Sequence, residues 1–125
     1  MPSGWSLTAL LLGLALAGPA GAAADIVDGS YGDRGGCHYA ETGESSGVDI
    51  FFLLDGKGVT TAASYCEFKG EGKKVGGATV IAAGCHEEGS EEVTPYELTL
   101  TPDGGGYTIG FPDGTRWGPL ARCET

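Results

Sequence analysis

The chain has 125 residues, 24 of them glycine, and carries 17 acidic side chains against 7 basic ones for a formal charge of −10. That balance excludes the basic surface needed to hold nucleic acid or anionic lipid. It favours solubility and attracts cations or cationic proteins through the long-range field.

The first element is a leader. Residues 7–17 are almost wholly apolar, Gly18-Pro19 ends the run, and Ala20-Gly21-Ala22-Ala23-Ala24 supplies the small residues of a cleavage site. The run is shorter than the ~20 apolar residues of a spanning helix. Residues 1–24 therefore read as a signal peptide, and 25–125 as a single domain with a mature start at Asp25. No Lys or Arg precedes the apolar core, which leaves an upstream start open, and no cysteine follows it to carry a lipid. The expected location is the periplasm or the exterior. About 100 residues remain, room for one modest core.

The mature part opens on Ile26 and Val27, a turn at Asp28-Gly29, and Tyr31-Gly32-Asp33-Arg34-Gly35-Gly36-Cys37. Near the other end stands Trp117-Gly118-Pro119-Leu120-Ala121-Arg122-Cys123. Both segments read aromatic, Gly, four residues, Cys, and both follow Asp-Gly-Ser or Asp-Gly-Thr. Such an echo suits first and last strands that meet. Residues 41–47 are polar and read as a loop. Residues 48–54 form an apolar run ending at Asp55-Gly56, a strand entering a hairpin. Val48, Ile50, Phe52 and Leu54 share one face; Phe51 and Leu53 lie on the other, either under residues 41–47 or against a partner.

Residues 59–68 read as the returning strand, 71–77 as a polar bend, and 78–85 as the next strand. His86-Glu87-Glu88-Gly89-Ser90-Glu91-Glu92 is an acidic loop. Residues 96–101 alternate, with Tyr96, Leu98 and Leu100 inward. Pro102-Asp103-Gly104-Gly105-Gly106 is a turn, Tyr107, Ile109 and Phe111 share a face, Pro112-Asp113-Gly114 turns again, and 115–123 is the last strand. Glycine interrupts every helical period outside the leader, so no long helix is expected. The fold expected is all-β: a small antiparallel up-and-down β-barrel of seven or eight strands, with a two-sheet sandwich as the alternative. Such a barrel is nearly filled by its own side chains, with room for a small ligand at most.

Four cysteines, Cys37, Cys66, Cys85 and Cys123, all lie in the mature part. An even count in a small exported domain reads as two disulfides, and three pairings are open. Cys66 and Cys85 bracket a hairpin, and Cys37 and Cys123 close the echo; these are the preferred pairs.

Chemistry is sparse. Cys37-His38 and Cys85-His86 supply tetrahedral zinc ligand types, but neighbouring residues of a strand point to opposite faces and paired thiols do not ligate. His86, or His38, with Glu87 and Glu88 forms a weak cation candidate. No Gly-x-Ser-x-Gly elbow supports a serine nucleophile, and 17 acidic residues make any carboxylate pair uninformative. No enzyme, cofactor or resident metal is expected.

Ser46-Gly47-Val48-Asp49, with Ile50 at the place of a tyrosine, resembles the Ser-Gly-x-x-Tyr loop of periplasmic lysozyme inhibitors, which are small disulfide-containing eight-stranded barrels. That resemblance implies a loop that enters a cationic enzyme's cleft. Ser30-Tyr31-Gly32, Cys66-Glu67-Phe68 and the Trp117 to Cys123 ending resemble small exported bacterial proteins of unassigned role, which implies a fold and a compartment. The functional expectation is a binding module, in its sharpest form an inhibitor of a cationic protein such as lysozyme, with Ser45, Ser46, Gly47, Phe51 and Leu53 as candidate partner surface. A small-ligand or cation-binding barrel is the alternative, and an uncharacterised enzyme the third reading.

Overall fold

The structure, a computed structural model, describes residues 26–124; the expected leader lies outside the described residues. Eight antiparallel strands follow one another around a closed barrel. They are β1 (Tyr31–Gly32), β2 (Phe52–Asp55), β3 (Gly58–Thr61), β4 (Ser64–Val75), β5 (Ala78–Glu87), β6 (Val93–Asp103), β7 (Gly106–Gly110) and β8 (Arg116–Arg122). One helix, α1 (Arg34–Thr42), sits between β1 and β2. Pairing of Tyr31 with Arg122 and of Gly32 with Ala121 closes the barrel. The sandwich alternative is thereby set aside.

Alternation places the core. Leu54, Val59, Ile81, Leu98, Leu100 and Ile109 are each less than 2 % exposed and fill the barrel axis. Burial of each contributes about 2 kcal/mol. Tyr31, Leu120 and the Cys66–Cys85 bridge join the same cluster. Val27 joins it too, and the Ile26 N–H donates to the Gly56 carbonyl at 3.4 Å, so the N-terminal segment plugs the end where β2 turns into β3.

Three local expectations are corrected. First, the Tyr31 to Cys37 strand stops after Gly32 and becomes α1. Asp33 is the N-cap: its Oδ1 accepts from the Gly36 N–H at 2.8 Å and from the Phe52 N–H at 3.2 Å. Gly43 ends the helix at φ 78°, donating its N–H to the Tyr39 carbonyl. The two glycines that argued against a helix are what let it lie on β2. A Cβ on Gly36 would stand 1.9 Å from the Phe52 carbonyl oxygen, and one on Gly35 would meet Phe51 and Val48 at 2.9 Å. The loop expected over 41–47 therefore starts only after Thr42.

Second, the returning strand over 59–68 breaks at Ala62-Ala63. Thr61 Oγ1 accepts from the Ala63 and Ser64 N–H groups, a side-chain turn that separates β3 from β4 and makes the eighth strand. Third, the bend over 71–77 shrinks to Gly76-Gly77. β4 runs on to Val75 through a bulge between Lys69 and Lys73, so the hairpin is longer than expected. β6 likewise begins at Val93 rather than Tyr96.

Candidate functional site

The cysteines pair as preferred. Cys66 and Cys85 are direct cross-strand neighbours on β4 and β5, with Cα atoms 3.9 Å apart. Cys37 of α1 joins Cys123 at the end of β8 across 86 residues of sequence. All four sulfurs are held in disulfides and supply no thiolate for zinc. Two disulfides are the mark of an oxidising, exported environment. His38 is exposed on α1, and His86 is half-buried on β5 between Tyr65 and Val93. Among the described residues no three His, Cys, Asp or Glu side chains converge as a metal site, and His86, Glu87 and Glu88 do not come together as one.

The candidate partner surface divides. Ser45, Ser46 and Gly47 are exposed, with the Gly47 N–H held by Ser45 Oγ at 3.1 Å. Phe51 and Leu53 are only 3 % and 4 % exposed and cannot meet a partner. The cover of Phe51 is α1, whose Tyr39 stacks on it at 5.2 Å, rather than the loop that follows the helix. The apolar side chains this connection does present are Val48 and Ile50, which precede β2.

An up-and-down barrel turns alternately at its two ends. One end is plugged by residues 26–28. At the other, where β2 and β8 begin and β7 ends, four aromatic rings form a ladder. Phe52 lies 5.1 Å from Trp117, Trp117 is edge-on to Phe111 at 4.5 Å, and Phe111 meets Tyr96 at 5.6 Å. Phe52, Phe111 and Trp117 are part-buried against the core, and Tyr96 is exposed. Tyr96 shares the inward face of Leu98 and Leu100, as expected, but it stands at the mouth where no further layer covers it. Among the described residues, four of the six exposed large apolar side chains (Val48, Ile50, Val93 and Tyr96) lie on the segments that meet this end. Tyr65 instead lies across the outer wall toward Lys57, and Val75 caps the far hairpin.

Asp33, Asp49, Glu87, Glu88, Glu91, Glu92 and Asp113 lie in or beside the connections at the aromatic mouth, with Arg34 and Arg116 the basic residues among them, while Asp28, Asp55 and Asp103 lie at the plugged end. All four lysines (Lys57, Lys69, Lys73 and Lys74) lie in the β2–β3 turn or on β4. An apolar mouth with an acidic rim carries a negative local field.

The plugged end holds the one buried phenol of this region that meets charge. Tyr31 is 4 % exposed; its hydroxyl donates to Asp28 Oδ1 at 3.2 Å and accepts from Arg122 Nη1 at 2.9 Å. The Arg122–Asp28 ion pair itself is exposed and worth at most about 1 kcal/mol. Burial raises the Tyr31 pKa, against the lowering influence of Arg122. The neutral phenol is thus favoured by the fold. That stability is complete below the unfolded phenol's pKa of about 10 and is lost as pH rises through the higher folded value. Urea midpoints measured from pH 9 upward should fall, and Tyr31→Phe should flatten that fall.

No family model, curated protein or solved structure matches the chain. Among the described residues no helix is long and apolar enough to cross a membrane. Sequence reasoning singled out the acidic loop and the 45–48 segment but missed the ladder. The available signal was positional: Phe52, Tyr96, Phe111 and Trp117 each stand within three residues of a strand end on the same side of the barrel.

Proposed function

We propose that this protein is an exported binding module, periplasmic or secreted, that docks a cationic protein on the aromatic end of its barrel. The observation that carries the reading is the coincidence, at one end, of the part-exposed Phe52, Trp117, Phe111 and Tyr96 ladder with the acidic rim and the exposed Val48 and Ile50. Aromatic anchors bury large area at small entropic cost, and Lys and Arg side chains lie well on aromatic faces. Opposed charge speeds the encounter and excludes acidic competitors. Inhibition of a lysozyme-like enzyme is the sharpest form of this reading, supported by the exposed Ser46-Gly47-Val48-Asp49 resemblance beside the mouth's first strand. The small-ligand alternative draws no support from the barrel axis, which Leu54, Ile81, Leu98, Leu100 and Ile109 fill.

Trp117 is the sole tryptophan of residues 25–125, so its fluorescence reports the mouth directly. Titration with a cationic lysozyme should give a saturable change that weakens as salt is raised, with an acidic protein of similar size giving none. Ile50→Ser should weaken binding about tenfold or more with the thermal midpoint unchanged, and Tyr96→Ala should weaken it as much with a small fall in midpoint from the lost Phe111 contact. Absence of saturable binding to lysozyme and to other cationic proteins, or binding indifferent to both substitutions, overturns the proposal.

A further inference from the structure

The two disulfides occupy unlike environments. Cys66 and Cys85 are 3 % and 7 % exposed inside the core. Cys37 and Cys123 are part-exposed and line a cavity of about 250 Å³ with Gly29, Ser30, Ala40, Arg122 and the two carboxylates of Glu41 and Glu124. Thiol–disulfide exchange requires in-line approach of a thiolate to a sulfur, so access decides which bond exchanges in the native state. The first turn of α1 is already capped by the Asp33 carboxylate, and Cys37 Sγ lies 3.7 Å from the Gly32 carbonyl, so access rather than the helix terminus distinguishes this bond.

We propose that Cys37–Cys123 is a thiol-exchange site, opened in the folded protein by a dithiol reductant, whose opening releases α1 from the barrel. One thiolate of the dithiol attacks Cys123 Sγ, the Cys37–Cys123 bond breaks, and Cys37 departs as a thiolate. The second thiol of the reductant, deprotonated, then attacks its own sulfur in the mixed disulfide and frees Cys123. The dithiol is oxidised to a disulfide, and its two protons end on Cys37 and Cys123. Cys66–Cys85 stays closed and keeps the β4–β5 hairpin joined within the core.

The consequence falls on one segment. The bond ties α1 to the end of β8; without it the helix is held by the Asp33 cap and by Tyr39 on Phe51. Residues 43–51, which follow α1 and carry Val48 and Ile50, lose one of their two fixed ends. The effect on partner binding rests on the function proposed above; the exchange and the loosening do not.

The test uses the oxidised mature protein and dithiothreitol, with timed alkylation and peptide mass spectrometry. Cys37 and Cys123 should be alkylated at least about tenfold faster than Cys66 and Cys85, with a rate insensitive to low urea, because native access and not unfolding limits it. The Cys66–Cys85 rate should climb steeply with urea. Amide exchange on the singly reduced species should rise over residues 34–51 while β4, β5 and β6 remain protected. Equal rates with the same urea dependence, or Cys66–Cys85 opening first, overturn the exchange site. Protection lost throughout the barrel, or unchanged over 34–51, overturns the release of α1. These readouts need no partner; a loss of lysozyme binding with exchange as expected would add the link to function, and its absence would count against the function alone.

Discussion

Joint replacement of Cys37 and Cys123 by alanine is expected to lower the unfolding free energy by about 4.5 kcal/mol. The bridge spans 86 residues of sequence, most of the described residues 26–124, so its loss frees an unfolded state that was otherwise a closed ring. Loop entropy grows with the logarithm of loop length, and the matching loss for the Cys66–Cys85 pair, separated by 19 residues, is about 3 kcal/mol. The second pair is buried, so its removal adds a packing loss to the entropic one and narrows the difference. A domain of this size has a stability on the order of 5–15 kcal/mol, so the first variant still folds, with a much lower midpoint. Urea denaturation under oxidising conditions checks both values. The slope should also increase for Cys37→Ala with Cys123→Ala, since the unfolded chain expands when the ring opens. An unchanged midpoint and slope would mean that the barrel's closure owes nothing to the bridge.

The second large effect is expected at Gly106. Three glycines follow Pro102-Asp103, and they do different things. Gly104 and Gly105 turn the β6–β7 hairpin at φ 58° and 90°, the positive values that a two-residue turn of this hand requires. Alanine at Gly105 has open space around it but adopts a strained backbone, a loss of about 1–2 kcal/mol. Gly106 has no such φ, yet its Cβ would stand 1.9 Å from the Leu120 carbonyl oxygen and 3.0 Å from the Ala121 Cα. That neighbour is backbone of β8 and cannot rotate aside. Gly106→Ala should therefore separate β7 from β8 and lower stability by about 3 kcal/mol, more than Gly105→Ala. Chemical denaturation of the two variants side by side decides it; equal effects would show that the strands move apart easily.

That triplet shows where the reading of a sequence stops. Pro-Asp-Gly-Gly-Gly announces a turn, and the turn is there. Which glycine serves the turn and which serves the neighbouring strand depends on β8, more than ten residues away. The same division runs through the site. The inward face of Leu98 and Leu100 was legible from alternation, and so was the inward position of Tyr96. That Tyr96 meets Phe111, and through it Trp117 and Phe52, was not, because ring contacts follow from register between strands. Phe51 and Leu53 were legible as a second apolar face of β2, but the cover of Phe51 was assigned to the wrong segment. Gly35 and Gly36 argued against a helix by propensity, and tertiary contact with Phe52 reversed the argument.

The sequence by itself determined the all-β class and the acidic character, favoured a barrel over a sandwich, and favoured the two cysteine pairs that the structure shows. These rest on local alternation, turn residues and cysteine spacing, all of which are written within a few residues or in a count. Only the tertiary structure decided that α1 exists, that Thr61 splits one strand into two, that the rings share one mouth, and that the lysines lie away from it. Each of those depends on which strand ends are brought to the same side of a closed barrel, and closure is a property of all eight strands together.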